Sequence, residues 1–538
     1  MSSFIPRLLV SRRSLFALLP LSMIGGSASA QEKPKMGGTL VAAIGGEPST
    51  LNLDITTDFY PYVVGGPIYS KLATLGPDSQ PVPDLARSWE ISADGKVYTF
   101  HLNNGVKWHD GRPFTSDDVK FTFEKIIAVY HGSGQTIFKR VSSIETPDAS
   151  TVVVTLSEPY AAFFTFIARD GRIMAKHIYE KGAILENPAN IKPIGTGPFR
   201  FVAWNRGSDI TLERNPDYFV TGQPYLDKIV FKIIPDASAR LVALEAGEID
   251  YIPAYDLENA AIERLQKSKD ITVTSKGHES WAAITELMFN MDKAPYNDVR
   301  VRRALSQAID RKFIVDKAGF GLNKVATGPI SSEMAWAYTP DVRIYPYDPK
   351  AAEQLLDEAG VKRGPDGVRF HTKVVALRGA DIFARTAEIV ANQFKAVGVD
   401  VQVSILDRAT ALPQVYTTRE FDMFIHSLTT GPDPAIGVER QYAAYNVRPS
   451  PFTNAAGYRN PQVDKLLADA GVATSRDQRA ALYKDFQKIV VDDAPLVWLY
   501  EDKTFSAYRN EFGGMHDWGP DSNYDLGRAW WKKGKAAP

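Results

Sequence analysis

Residues 373–406 read KVVALRGADIFARTAEIVANQFKAVGVDVQVSIL. KVVAL is a short β-branched run, ARTAEIVANQFKAVG places its apolar residues at helical spacing, and VDVQVSIL alternates apolar and polar positions. A strand, a helix and a strand in succession predict a parallel strand pair with a right-handed crossover. Open sheets of that kind take ligands beyond the carboxyl ends of their strands, and Arg378, in LRGAD, stands at such an end.

The preceding segments are also punctuated. In DPKAAEQLLDEAG, Asp348 is placed to cap a helix, Pro349 takes its first position and Gly360 its exit. In DVRVRRALSQAIDRKFIVDKAG, residues 298–319, Val301, Leu305, Ala308 and Ile309 recur at helical spacing against an Arg/Lys face, predicting a helix that closes at Gly319. Nearer the start, GGTLVAAIGGEPSTLNLD (37–54) is a strand running into a Gly/Pro loop, and TVVVTL (151–156) and IVFKIIP (229–235) are strands by β-branched content and Pro punctuation. YTFHLNNGVKWHDGRPF (98–114) is hairpin-like, and TSDDVKFTFEKIIAVY (115–130) opens on Thr115 or Ser116 as a cap, with acids in the first turn. This mixture predicts an α/β chain of several lobes, whose boundaries composition alone does not mark.

The first thirty residues differ from the rest. SRRSLFALLPLSMIGG (11–26) gives a basic start and an apolar stretch, and Ala28–Ala30 is an A-x-A cleavage signal, so the segment reads as a secretory leader cleaved near Ala30. Ser11-Arg12-Arg13 resembles a twin-arginine export signal. Without the leader's three arginines the chain carries 59 basic against 63 acidic side chains, a formal charge of −4, which argues against a nucleic-acid or anionic-membrane partner. There is no cysteine, so disulfides, thiolate metal sites, a Cys nucleophile and a lipidated Cys are all excluded.

Catalytic signatures are missing. No phosphate loop, H-E-x-x-H, G-x-S-x-G or EF-hand pattern occurs, and the eight histidines lack ligand spacing. KWHDG (107–111) reads as a turn, because its His-Asp pair has no third orienting group. GTGPF (195–199) lacks a lysine and reads as a tight backbone crossing that admits only glycine. His426 reads as a core or rim histidine rather than a metal ligand.

Five co-linear segments carry a resemblance. PDLARSWEISADGKVYTFHLNNGVKWHDGRPFTSDDVKFTFEK (83–125), IGTGPFRF (194–201), ERNPDYF (213–219), ALEAGEIDYI (243–252) and NDVRVRRALSQAIDR (297–311), with NPQVDKLL (460–467) after them, resemble the extracellular solute-binding proteins of family 5, receptors of ABC importers for peptides, nickel and oligosaccharides. The resemblance implies an α/β, two-lobed periplasmic-binding-protein fold of the cluster C type, with hinge crossings and an extra domain in the first lobe. The lobes are expected as 31–65, 190–275 and 495–538 for the first, 66–189 for the extra domain and 276–494 for the second. It also implies a monomeric, non-enzymatic periplasmic receptor without cofactor or metal, working with an inner-membrane permease and a separate ATPase.

The resemblance also points to binding residues. The Thr56–Tyr60 segment is expected to contribute contacts through Thr57, Phe59 and Tyr60, and Arg378 to take a carboxylate, which a guanidinium holds bidentately. FDMFIHSLTTGPDP (421–434) departs from the family pattern: Thr430 stands where peptide receptors carry the Asp that neutralises the peptide's amine, and Ser427 where a Trp is common. Ser427, Leu428, Thr429 and Thr430 are expected to face the solute, Asp433 and Pro434 to shape the turn, and Arg440 to add a second cation. A buried ammonium without a counter-charge costs several kcal/mol. Either another acid supplies the charge or the solute is no ordinary peptide, an opine, oligosaccharide or other anionic molecule being the alternative. Ala435 replaces the His that follows Asp-Pro in nickel receptors. An exported hydrolase and a sensor or chaperone-like binding protein complete the readings.

Overall fold

The 373–406 unit folds as its pattern dictates. In a computed structural model describing residues 33–532 except 57, 378–380, 450 and 517, strands Phe370–Leu377 and Val399–Leu406 pair in parallel, with helix Asp381–Ala396 between them in sequence. Val374, Ala376, Val390 and Phe394 are wholly buried in one core, so the helix lies over the strand pair. The Val374, Val390 and Phe394 side chains each contribute about 1.5–3 kcal/mol by leaving water.

That pair forms one edge of a six-stranded sheet. Its order is Lys324–Val325, Leu496–Glu501, Ala283–Phe289, Met423–Thr429, Phe370–Leu377 and Val399–Leu406. A seven-stranded sheet has the order Ile271–Thr274, Ser506–Arg509, Tyr251–Ile252, Thr39–Ile44, Lys228–Ile233, Asp209–Arg214 and Phe199–Asn205. A four-stranded antiparallel sheet, Ala86–Ile91, Val97–Leu102, Thr151–Leu156 and Val141–Asp148, has its own aromatic core. The two large sheets exchange chain at two crossings, residues 275–282 and 502–505.

Local expectations meet two outcomes. Thr115 caps the helix starting at Ser116 in a reciprocal box with Asp118, and in GTGPF a Cβ on Gly195 would lie 1.9 Å from the Ile68 carbonyl oxygen, so only glycine permits that crossing. The single helix expected over 298–319 is instead two, Val299–Gln307 and Arg311–Lys317. Asp310 breaks the run because its side chain accepts from Phe313 N–H and starts a new helix.

Candidate functional site

The carboxyl ends of both large sheets bound one cavity. In the seven-stranded sheet, Thr39–Ile44, Lys228–Ile233 and Tyr251–Ile252 run parallel and release Gly45, Pro235 and Tyr255. In the six-stranded sheet, Phe370–Leu377, Met423–Thr429 and Leu496–Glu501 share a direction, because the last two both pair antiparallel with Ala283–Phe289 and the first pairs parallel with Met423–Thr429. Their exits hold Ser427, Asp502 and the start of helix Asp381–Ala396. Residues from both sets line a cavity of about 570 Å³, within the size range of small-molecule sites.

The wall from the seven-stranded sheet is pre-set by hydrogen bonds. Tyr60 donates its hydroxyl to Asp256 Oδ1 at 3.0 Å, and Gly45 N–H donates to Asp256 Oδ2 at 3.0 Å. Arg240 donates to the carbonyls of Ile234, Pro235 and Asp256, so its guanidinium is committed to backbone. Burial raises the Asp256 carboxyl's pKa against these donors. A Cβ on Gly46 would lie 2.4 Å from the Tyr60 ring, so the glycine lets that ring pack against the loop. Tyr255 lines the cavity with φ at +71°, a left-handed backbone that a non-glycine residue holds at a cost of about 1–3 kcal/mol.

The opposite wall contains the charged groups. Asp502, where strand Leu496–Glu501 enters its crossing, accepts from Thr285 Oγ1 at 2.8 Å and from the Ser427 hydroxyl. Burial pushes its carboxyl up to about 6, Glu286 adds to this, and the two hydroxyls oppose it. Arg385 lines the cavity with its guanidinium carbon 5.2 Å from the Phe320 ring centre, and its buried Nε has no hydrogen-bond partner. Asp502 also lines a smaller cavity of about 70 Å³ with Tyr255, His278, Glu279 and Trp281.

Tyr60 and Ser427 meet at the main cavity, while Phe59 packs edge-on against Tyr60 and Tyr255. Thr57 and Arg378 lie outside the described residues. Leu428 and Thr430 are buried and do not line the cavity; the Thr430 hydroxyl donates to the Ala282 carbonyl, pinning the turn to the first crossing. Thr429 is half-buried and meets Arg440, whose guanidinium also bonds the Gly437 carbonyl. Arg440 lines a separate cavity of about 380 Å³ with Gln135, Arg140 and Glu439. Its position corrects the expectation of a second cation at the main cavity: the short helices Pro434–Gly437 and Glu439–Tyr442 carry it to the other side of the turn.

Asp433 accepts from Ala435 N–H at the start of helix Pro434–Gly437 and receives two hydrogen bonds from Arg479, at 2.8 and 2.7 Å. His426 is wholly buried, stacked on Phe424, with Nε2 3.1 Å from Glu286. Among the described residues no group of three or more His, Asp or Glu could hold a metal ion. Sequence reasoning missed Tyr255, Arg385 and Asp502. The one local signal for Asp502 is an acid directly after the fully buried strand LVWLYE.

The family described as bacterial extracellular solute-binding proteins, family 5 Middle, matches residues 80–448. This chain belongs to that family. It is 30% identical over 95% of its length, and 96% of the relative's, to the oligopeptide-binding protein AppA of Bacillus subtilis strain 168. The structure of the Bacillus subtilis AppA in complex with a nonapeptide superposes with a TM-score of 0.78 at 28% identity, covering 93% of this chain and all of that one. DppA of Helicobacter pylori, in complex with the peptide STSA, gives 0.79 at 27% identity, covering 93% and 99%. AgaA of A. tumefaciens R10, in complex with agropinic acid, gives 0.77 at 26% identity, covering 92% and 99%. The fold is therefore the two-lobed α/β fold of these binding proteins.

Proposed function

We propose that this protein is the solute receptor of an ABC importer, capturing a peptide or peptide-like solute between its two lobes and delivering it to a membrane permease served by a separate ATPase. The observation that carries the reading is the cavity drawn jointly from the carboxyl ends of two sheets that exchange chain at two crossings. Hinge closure over such a cavity lets a solute touch both lobes, which is how ligand contacts favour the closed state. On this reading residues 31–65, 190–275 and the part of 495–538 after the second crossing move as the first lobe, 66–189 as its extra domain, and 276–494 together with strand Leu496–Glu501 of the six-stranded sheet as the second lobe. The leader directs export to the periplasm with cleavage near Ala30, by the twin-arginine route, and the mature receptor acts as a monomer without catalysis. The ligand contacts on this reading are Thr57, Phe59, Tyr60, Arg378 and Ser427, with Leu428 and Thr430 behind the cavity wall supporting the turn.

The alternative solute is an opine, oligosaccharide or other anionic molecule, favoured by Thr430 in place of an amine-binding Asp and by the agropinic acid held by AgaA. Mass spectrometry of material co-purifying with the periplasmic protein, followed by a thermal-shift panel of dipeptides, oligopeptides, opines and sugars, separates these readings. A ligand-dependent rise in melting temperature without product supports the receptor. Turnover of any panel compound refutes it in favour of a hydrolase.

A further inference from the structure

We infer that Asp502 anchors a cationic group of the solute and Arg385 an anionic one, so that the solute captured in the cleft is a compact zwitterion. The inference rests on the receptor reading and assigns charge to its cavity. Asp502 stands where the two cavities meet, contributing to both walls. Two hydroxyls, from Thr285 and Ser427, orient its carboxylate, yet among the described residues no Lys, Arg or His is paired with it. A carboxylate held by neutral donors in a low-dielectric cleft lacks the counter-charge that buried acids take from their own chain. Its surroundings favour a cation. Glu279 and Glu333 share the smaller cavity with it, whereas the Trp281 ring there is already taken, by the Arg169 guanidinium carbon 5.3 Å from its centre and by the parallel His278 ring. Lys503, which lines both cavities beside Asp502, is exposed and makes no ion pair with it among the described residues.

Arg385 is the complementary group. The other arginine on the main cavity, Arg240, is occupied by three backbone carbonyls, whereas Arg385 has a buried Nε without a partner and no ion pair among the described residues. Phe320 supports its guanidinium from one face, leaving its planar edge for a carboxylate. Asp502 and Arg385 line the same cavity of about 570 Å³, so a single small molecule held there can meet both charges. This arrangement supplies the acid that Thr430 does not.

The test is a melting-temperature panel on wild-type protein at pH 7.5. Its probes are free amino acids and alanine di- and tripeptides, the same compounds N-acetylated or C-amidated, succinate as a dianion and raffinose as a neutral sugar. At least one zwitterion is expected to raise the melting temperature, with each blocked form binding tenfold or more weakly. Asp502→Asn is expected to weaken the zwitterion tenfold or more but leave its N-acetylated form as weak as with wild type, and Arg385→Gln to do the same for the C-amidated form. Stabilisation by succinate or raffinose alone overturns the zwitterion while leaving the receptor standing, and no stabilisation by any probe overturns both. Equal binding of blocked and free forms to wild type overturns the inference without recourse to variants.

Discussion

Asp502→Asn tests the electrostatics of the cleft without any ligand. The carboxyl sits near 6 in the folded protein, with burial as the main cause, against about 3.9 in an unfolded chain. Two pK units correspond to about 3 kcal/mol, reduced to about 2 because the residue is only half-buried. The sign follows from proton uptake. Above pH 6 the folded state holds an ionised carboxylate that burial and Glu286 disfavour, so ionisation costs stability in full. As pH falls from 6 towards 4 the folded protein takes up the proton first, and the cost disappears. The charged neighbours included are Glu286 on the adjacent strand, Glu279 and Glu333 across the smaller cavity, Lys503 beside it and Arg385 across the larger one. Asparagine keeps the shape and removes the charge, so the ligand-free variant should be more stable than wild type at pH 7.5. With about 2.1 cal/mol/K per residue over roughly 500 folded residues, 2 kcal/mol is worth about 2 °C in melting temperature. Differential scanning calorimetry between pH 4 and 8 should show that gap closing below pH 6. A gap of opposite sign, or one independent of pH, would refute the burial argument.

Further perturbations address the turn and the cavity walls. Asp433→Ala strips a buried guanidinium of its bidentate partner, with Arg479 and Asp433 only 6% and 4% exposed. The expected loss is about 3–5 kcal/mol, roughly 3–5 °C in melting temperature, and an unchanged melting temperature would remove the pair from the stability of the turn. Gly46→Ala places a methyl 2.4 Å from the Tyr60 ring and should displace it, weakening the co-purified solute about tenfold by calorimetric titration, or 1.4 kcal/mol; unaltered affinity would mean the ring is no contact. Arg378→Ala should weaken an anionic ligand tenfold or more, and Arg440→Ala less than twofold, because Arg440 faces another cavity. The reverse order would relocate the site.

Legibility followed the range of the interactions. The 373–406 unit was readable because its strands and helix carry their periodicities locally. The break at Asp310 was not, since Val301 to Ile309 keep helical spacing and only the bond from Phe313 N–H shows that the aspartate starts a second helix. Thr430 could not be read as buried, because its hydroxyl is consumed by Ala282, 148 residues away in sequence. Asp502 and Arg385 look like ordinary surface charges in LYEDK and FARTAE. Their significance comes from which hydroxyls and rings the crossings bring beside them, and no local pattern encodes that.

The distribution of these groups also constrains how capture and closure divide. A solute can shift an open–closed equilibrium only by its difference in affinity for the two states, and moving a population from 1:99 to 99:1 requires about 5.5 kcal/mol. The donors that orient Asp502, Thr285 and Ser427, belong to the six-stranded sheet, and Arg385 lies on a helix that packs on the same sheet. A solute held by these two charges can therefore dock before the lobes close, and that contact adds affinity to both states without favouring either. Closure has to draw on the other wall, where Tyr60 and Tyr255 present rings from the seven-stranded sheet. Tyr255 is 47% exposed, leaving on the order of 100 Å² to bury, or about 2.5 kcal/mol. The Tyr60 ring is half-buried and adds less, so the two rings supply part of the required difference. On the proposed reading, charge on one lobe would select the solute and aromatic area on the other would help to close the receptor, the left-handed backbone of Tyr255 being the cost of keeping that ring on the cavity wall.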